Sequence, residues 1–438
     1  MRQAEDTSTD LARHVGSMVI ADTHEHTRSE AEWIKEGPCD VLADIFSNYV
    51  TDDLVCAGMP NQAMVELVRG KPQDLEKRWA SVKDYWPLVR HTGYGQGVAL
   101  AAEEVYGMEE LSLPGLQAAE KIYRQLRSPG GQLEFLRSRA RLDHLQINDM
   151  TRKPPTPNPD APDFYLYDLS IWHLVKHEMD YRQLCEWTGV TVSDLASLEQ
   201  AMGRLFETSG GLAIACKSQH AYTRSLAWQK RSDAQAATAL DEILRQGASA
   251  DPAQRAVLGD WCLERCCELA GRYNLPVKFH TGYTAGTSFM PLPGTAPSNL
   301  CGLLKAFPKT RFVLMHMSFP YHSELLALAK QYPNVYASLC WAWSISPYDA
   351  MEFLRRFIHS VPANKLLAFG GDSVWPTPTY VYSRQTRQWI TRALQAEVDE
   401  GYLGEAQAIE LANRILLKNH YACFDIPGRR ANIAKALA

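Results

Sequence analysis

The chain has 438 residues, 46% of them hydrophobic and 22% charged, the balance of an ordinary folded protein. Its formal net charge is −5 and no stretch concentrates Lys and Arg, which speaks against a nucleic-acid partner. No apolar run reaches the ~18 residues of a membrane span, and a length beyond ~250–300 residues calls for one large barrel with insertions or for two domains.

The first residues, Met1-Arg2-Gln3-Ala4-Glu5-Asp6, are polar and acidic and lack an apolar core, so no secretory signal is expected. The ten cysteines are scattered rather than set in a dense framework. Cys262, Cys266 and Cys267 lie inside a helical pattern with no second Cys or His pair nearby, and read as buried small hydrophobes. A cytoplasmic protein is the expectation.

Met18-Val19-Ile20 reads as a buried strand running into Asp22-Thr23-His24-Glu25-His26. In an extended backbone residues i and i+2 point the same way, so His24 and His26 project together as half of a transition-metal site. Residues 28–140 are mainly helical in pattern, with apolar residues three and four apart at 61–68 and 117–126 and breaks at Pro60, Pro87, Pro114 and Pro129. This segment is expected to be an insertion covering the mouth of a barrel.

From there strands and helices alternate. Residues 145–147 and 164–167 are weak strand candidates around a Pro-rich loop, and 192–206 is a helix with Ser193 as its cap. Residues 212–216 form a buried strand ending at Lys217, and Asp251-Pro252 opens a long helix. Four stronger strands follow: 276–279 into His280, 311–315 into His316, 335–339 into Cys340-Trp341, and 366–369 into Gly370-Gly371-Asp372. Helical segments 298–307, 323–331 and 349–359 separate them, and helices at 384–398 and 405–421 close the chain.

This is the element order of an α/β (β/α)8 TIM barrel with a helical insertion after strand 1 and helices at its C-terminal end. The expected organisation is 1–27 for strand 1 with its histidines, 28–140 for the insertion and 141–438 for the rest of the barrel. The C-terminal ends of barrel strands meet on one face, so His24, His26, Lys217, His280, His316 and Asp372 would share one pocket. Tyr222 and Arg224, just past the fourth strand, can hold an anionic group, and Trp341, Trp343 and Trp375 can line a planar or apolar pocket.

The pattern of His24 and His26 after strand 1, His280 and His316 after strands 5 and 6, and Asp372 after strand 8 resembles the amidohydrolase superfamily. Lys217-Ser218 with Ala221-Tyr222 and Arg224, together with the insertion, is similar to the amidohydrolase-2 group and its uronate-isomerase-like relatives. The resemblance implies a metal-dependent hydrolase that cleaves an amide-type C–N or related bond of a small, carboxylate-bearing molecule with metal-activated water. It also leaves open a uronate-type aldose–ketose isomerase, an aromatic-acid decarboxylase, or an inactive metal-binding barrel. His24, His26, His280 and Asp372 are the implied ligands of a divalent metal, Zn²⁺ first and Mn²⁺ second, with Asp372 as the proton carrier. His316 would polarise a substrate carbonyl or bind a second metal. For Lys217 three readings stand: carboxylated and bridging two metals, binding a substrate carboxylate or acting as an acid, or ion-paired with Asp372 or Glu25. The expected partner is a small molecule, with no nucleic acid and no membrane; a homo-oligomer is left open.

Overall fold

The computed structural model describes residues 9–149, 151, 153–176, 180–291 and 293–438, so the polar stretch Met1–Asp6 lies outside the described residues. The barrel strands are β1 (Ile20–Glu25), β2 (Leu142–Ile147), β3 (Tyr165–Tyr167 continued by Leu169–Ser170), β4 (Cys216–Ser218), β5 (Val277–Phe279), β6 (Phe312–Leu314), β7 (Val335–Ser338) and β8 (Leu366–Leu367). Every ladder between neighbours is parallel. Parallel strands covered on both faces favour apolar runs, which is why β6 and β7 stood out in the sequence, while β2 and β3 were weak candidates. The ring closes where Thr23 N donates to Phe369 O at 3.1 Å, Asp372 N to His24 O at 2.9 Å and His26 N to Ser373 O at 2.9 Å. The chain therefore forms the (β/α)8 barrel its element order predicts.

β3 is interrupted at Asp168, whose side chain is held in a buried ion pair. Lys278 on β5 sends Nζ through the barrel interior to Asp168 Oδ1 at 2.8 Å and Oδ2 at 3.0 Å, and to Thr23 O at 2.8 Å. Both side chains are fully buried, so the carboxylate and the Thr23 carbonyl together satisfy a cation that the interior would otherwise not tolerate.

Between Glu25 and Leu142 the chain is helical, with principal helices Glu30–Glu36, Val41–Phe46, Val50–Cys56, Asn61–Arg69, Leu75–Val82, Gly93–Leu100 and Leu113–Leu126. Local chemistry sets their starts: Ser29 and Glu32 form a reciprocal cap, and Asp40, Thr92 and Ser112 each accept a first-turn N–H. This layer is tied to the barrel by Tyr49, whose hydroxyl donates to Asp372 O at 2.6 Å. A second tie is the close seat of Gly93, where a Cβ would lie 2.1 Å from Ser344 O.

Several boundaries differ from the sequence expectation. The helix expected over 192–206 is Leu195–Ser209, and its cap is Asp194, paired reciprocally with Ser197, rather than Ser193. The fourth strand lies at Cys216–Ser218, later than 212–216, because Leu212 and Ala213 still fold back onto Ser209 O after the preceding helix. The long C-terminal helix begins at Pro376, since proline fits a first turn. Helices Asp10–Ser17 and Ile426–Leu437 were not expected; the first is capped by Thr9 and buries Leu11 and Val15, four apart. Cys262, Cys266 and Cys267 are buried on the helix Pro252–Arg272, as read. No helix among the described residues is long and apolar enough to cross a membrane.

Candidate metal centre

The end of β1 supplies the first two groups. Its six residues are all buried, and the His24 and His26 rings stand edge to face with centroids 4.7 Å apart. His26 Nδ1 donates to Asn148 O at 2.7 Å, which leaves Nε2 as a lone pair, 3.4 Å from Asp372 Oδ1 and 3.5 Å from the Gln219 amide nitrogen. His24 Nε2 lies 3.1 Å from the same oxygen, and neither ring nitrogen of His24 has a hydrogen-bond partner. A tetrahedral Zn²⁺ with bonds of ~2.0–2.1 Å holds its ligands roughly 3.3 Å apart. The His24–Asp372 and His26–Asp372 spacings bracket that value, so this donor set fits a divalent metal. Burial, the dominant cause, lowers the proton affinity of both rings; Lys217 reinforces it at His24, while Asp372 opposes it at His26. Neutral imidazoles are the form that binds metal.

Asp372 is held by strand 1 on three sides. Its own N–H goes to His24 O, while Gly371 N donates to Asp22 Oδ2 at 3.4 Å and Ser373 N to Glu25 Oε2 at 2.6 Å. Ser373 Oγ adds a bond to Glu25 Oε2 at 3.0 Å, and Tyr49 takes the Asp372 carbonyl. The clamp keeps Asp372 at φ +55°, in the left-handed region that a residue with a Cβ adopts at a cost. Glycine at 371 permits the close approach, since a Cβ there would stand 2.1 Å from Glu25 Oε1. Burial raises the Asp22 carboxyl to about 7, and burial with the neighbouring Asp22 charge raises Glu25 well above the usual range. The two carboxyls also hydrogen-bond each other, which raises Glu25 and lowers Asp22.

A second group lies on the other side of Asp372. His316, Cys340 and Asp372 are buried with their donor atoms all within 4.8 Å of one another, and His316 Nδ1 is 3.7 Å from Asp372 Oδ2. His280 Nε2 donates to Tyr283 O at 2.7 Å, and its Nδ1 meets His316 Nε2 at 2.9 Å. Burial is the main cause that lowers both rings, His280 to about 3.

Lys217 is fully buried on β4 and turns Nζ to Met315 Sδ at 2.7 Å. Among the described residues it makes no ion pair with Asp372 or Glu25. Burial pushes its amine down to about 8 against the pull of Asp372, and its charge is felt at His24, His26, His280 and His316.

Aromatic side chains surround these groups. Tyr222 lies over His280 with centroids 4.7 Å apart, and its hydroxyl accepts from Ala285 N. Trp341 meets His316 edge-on at 5.4 Å and packs on Tyr49 at 4.4 Å and Tyr283 at 5.6 Å. Trp343 instead spends its N–H on Ala368 O, a packing role. Half-buried Trp375 sits under the Arg28 guanidinium at 5.6 Å. Arg224 is buried, and its Nη1 is paired with Asp260 at 2.8 Å and donates to Ala256 O, which ties it to the helix Pro252–Arg272, while its Nε and Nη2 have no hydrogen-bond partner among the described residues. Sequence reasoning did not single out Tyr49, Asp22 or Glu25, nor the place of Cys340 beside His316 and Asp372. Cys340 had the signal of its neighbours, a metal-binding side chain at a strand end; Tyr49 had none, because it comes from the insertion.

With this geometry in place, comparison with known proteins agrees on the scaffold. Residues 212–406 match the model of the amidohydrolase family Amidohydro_2. A stretch of 175 residues is 30% identical to the protein fluG of Emericella nidulans, a match covering 39% of this chain and 20% of that protein, so the chain accounts for about a fifth of that relative's length. The fold is similar to that of a uronate isomerase from Thermotoga maritima, at 14% identity and TM-score 0.80, covering 97% of this chain and 100% of the other. A glucuronate isomerase from Caulobacter crescentus superposes with TM-score 0.77 at 14% identity, covering 96% and 95%.

Proposed function

We propose, on the premise that residues 212–406 belong to the amidohydrolase family, that this chain is a metal-dependent hydrolase that cleaves an amide-type C–N or related bond of a small molecule with water. The observation carrying this reading is the convergence of His24 Nε2, His26 Nε2 and Asp372 Oδ1, with the His24 ring otherwise unpartnered. A divalent cation there, Zn²⁺ before Mn²⁺, supplies Lewis acidity that polarises a carbonyl and lowers the pKa of water towards ~7.

The chain's own residues do the rest. Asp372 takes a proton from the attacking water and returns it to the leaving nitrogen as the C–N bond breaks. The Asp22, Glu25 and Tyr49 contacts keep that carboxylate aimed, so little reorganisation is needed during reaction. Lys217 offers a cation to a substrate carboxylate or a developing oxyanion. Tyr222, Trp341 and Tyr283 exclude water and receive the apolar part of the substrate.

Uronate-type isomerisation is the second reading, favoured by the near-complete overlap with two isomerase folds. Against it stand the aromatic surroundings of the centre, where a sugar acid calls for polar groups. Assays of metal-depleted and reloaded protein against N-acyl amino acids, other amides, uronates and aromatic acids decide between them. The expected result is amine release that needs metal and disappears in Asp372→Asn. Turnover that survives complete metal depletion, or conversion of a uronate with no amide cleaved, overturns the hydrolase reading.

A further inference from the structure

The pairing of the two histidines beyond Asp372 fixes where their protons are. A carbonyl oxygen only accepts, so His280 Nε2, 2.7 Å from Tyr283 O, carries a hydrogen. His280 Nδ1 is then bare, and a neutral His316 has one hydrogen for two contacts, Nε2 with His280 Nδ1 at 2.9 Å and Nδ1 with Cys340 O at 3.2 Å; the shorter contact takes it. His316 Nδ1 is left as a lone pair. It faces Cys340 O at 3.2 Å and Asp372 Oδ2 at 3.7 Å, both acceptors. Three electron-rich atoms turned towards one another in a buried gap call for something positive between them.

The side chain that completes the gap is a thiol. Cys340 is fully buried, no hydrogen bond to its sulfur is found among the described residues, and its Sγ lies within 4.8 Å of His316 and Asp372 donor atoms. Gly370 makes the room: a Cβ at that position would stand 3.0 Å from Sγ and 2.8 Å from Thr23 Oγ1. The Asp372 carboxylate is divided between two sides, Oδ1 towards His24 and His26 and Oδ2 towards His316. Each oxygen has lone pairs to spare. Lys217 points its amine at Met315 Sδ, 2.7 Å away, and contributes no oxygen to the gap.

We propose that His316 Nδ1, Cys340 Sγ and Asp372 Oδ2 form a second, sulfur-containing site for a soft or borderline divalent cation, joined to the His24–His26 centre through the Asp372 carboxylate. Imidazole with thiolate selects Zn²⁺ or Co²⁺ over Mg²⁺ and Ca²⁺. The chain would then hold two cations without a carboxylated lysine. The inference rests on the reading of Asp372 as a ligand, but its thiolate gives it a signature of its own.

The test uses the full chain, stripped with a chelator and titrated with Co²⁺ alone. Two equivalents are expected, one of them raising a sulfur-to-cobalt charge-transfer band in the near ultraviolet. Cys340→Ser should lose the band and one equivalent and keep the other; His24→Ala should keep the band. One equivalent without the band overturns the second site and leaves the hydrolase reading standing, and this is also the result if a proton rather than a metal fills the gap. Two equivalents without the band, or a band that persists in Cys340→Ser, equally overturn it. No cobalt uptake at all removes both readings. Should the serine variant fail to fold, X-ray absorption at the zinc edge of the unmutated protein makes the same decision, through the presence or absence of a sulfur neighbour at ~2.3 Å.

Discussion

Replacing Glu25 by alanine and by glutamine should have opposite outcomes, and the difference tests how Asp372 is held. In Glu25→Ala the Ser373 N–H loses its acceptor at 2.6 Å, whereas Ser373 Oγ keeps Thr379 Oγ1 at 2.8 Å. One orphaned buried donor costs about 1–3 kcal/mol, and the one vacated methylene adds about 1 kcal/mol more. The expected loss of stability is therefore about 2–4 kcal/mol by those same figures. Metal affinity should fall about 10–100-fold, the usual consequence of removing a group that orients a ligand. In Glu25→Gln the amide oxygen still accepts from Ser373, and the amide nitrogen donates to Asp22 in place of the shared proton. That variant should lie within about 1 kcal/mol of the parent and bind metal nearly as well. Urea unfolding of the metal-free protein and competition with a chromophoric chelator read the two quantities. Alanine and glutamine variants that behave alike in both assays would refute the clamp, because only the clamp distinguishes a carboxamide from a methyl group here.

Three further outcomes follow from the same contacts. Lys278→Met alone should cost about 3–5 kcal/mol by leaving Asp168 charged and unpaired in the barrel, and Lys278→Met with Asp168→Leu should recover most of it; a double variant as unstable as the single one contradicts this account. Arg224→Ala should lower the unfolding temperature and leave KM unchanged, because Asp260 loses one of its two arginine partners and keeps only Arg231 at 3.0 Å; a raised KM at parental stability would assign Arg224 to the substrate. His420, far along the chain from the centre, is buried with Nε2 on Ile415 O, and burial lowers it from 6.5 to about 3. The unfolded chain then takes up that proton first, so this residue subtracts stability as pH falls from about 6.5 towards about 3, at up to about 1.4 kcal/mol per pH unit. His420→Gln should flatten the pH dependence of urea unfolding in that window, and an unchanged slope would count against a neutral buried ring.

The barrel was legible in the sequence because its later strands carry short apolar runs between helical segments, and because β1, β5, β6 and β8 each run into a chemically marked residue. The spacing of His24 and His26 followed from the alternation of a strand, which is a local property. What depended on distant segments was hidden. Asp372 is oriented by Asp22, Glu25 and Tyr49, 323 residues away in the last case, and no local pattern records such a contact. Arg224 looked available because its partner Asp260 is 36 residues further on. Cys340 looked like one strand-end cysteine until the barrel turned it towards His316 and Asp372. Strand and helix periodicity depends on nearest neighbours along the chain, so the sequence by itself determined the scaffold and the types of group at its mouth. Which of those groups share an oxygen, a proton or a gap depends on how eight strands close into a ring, and only the tertiary structure decided that.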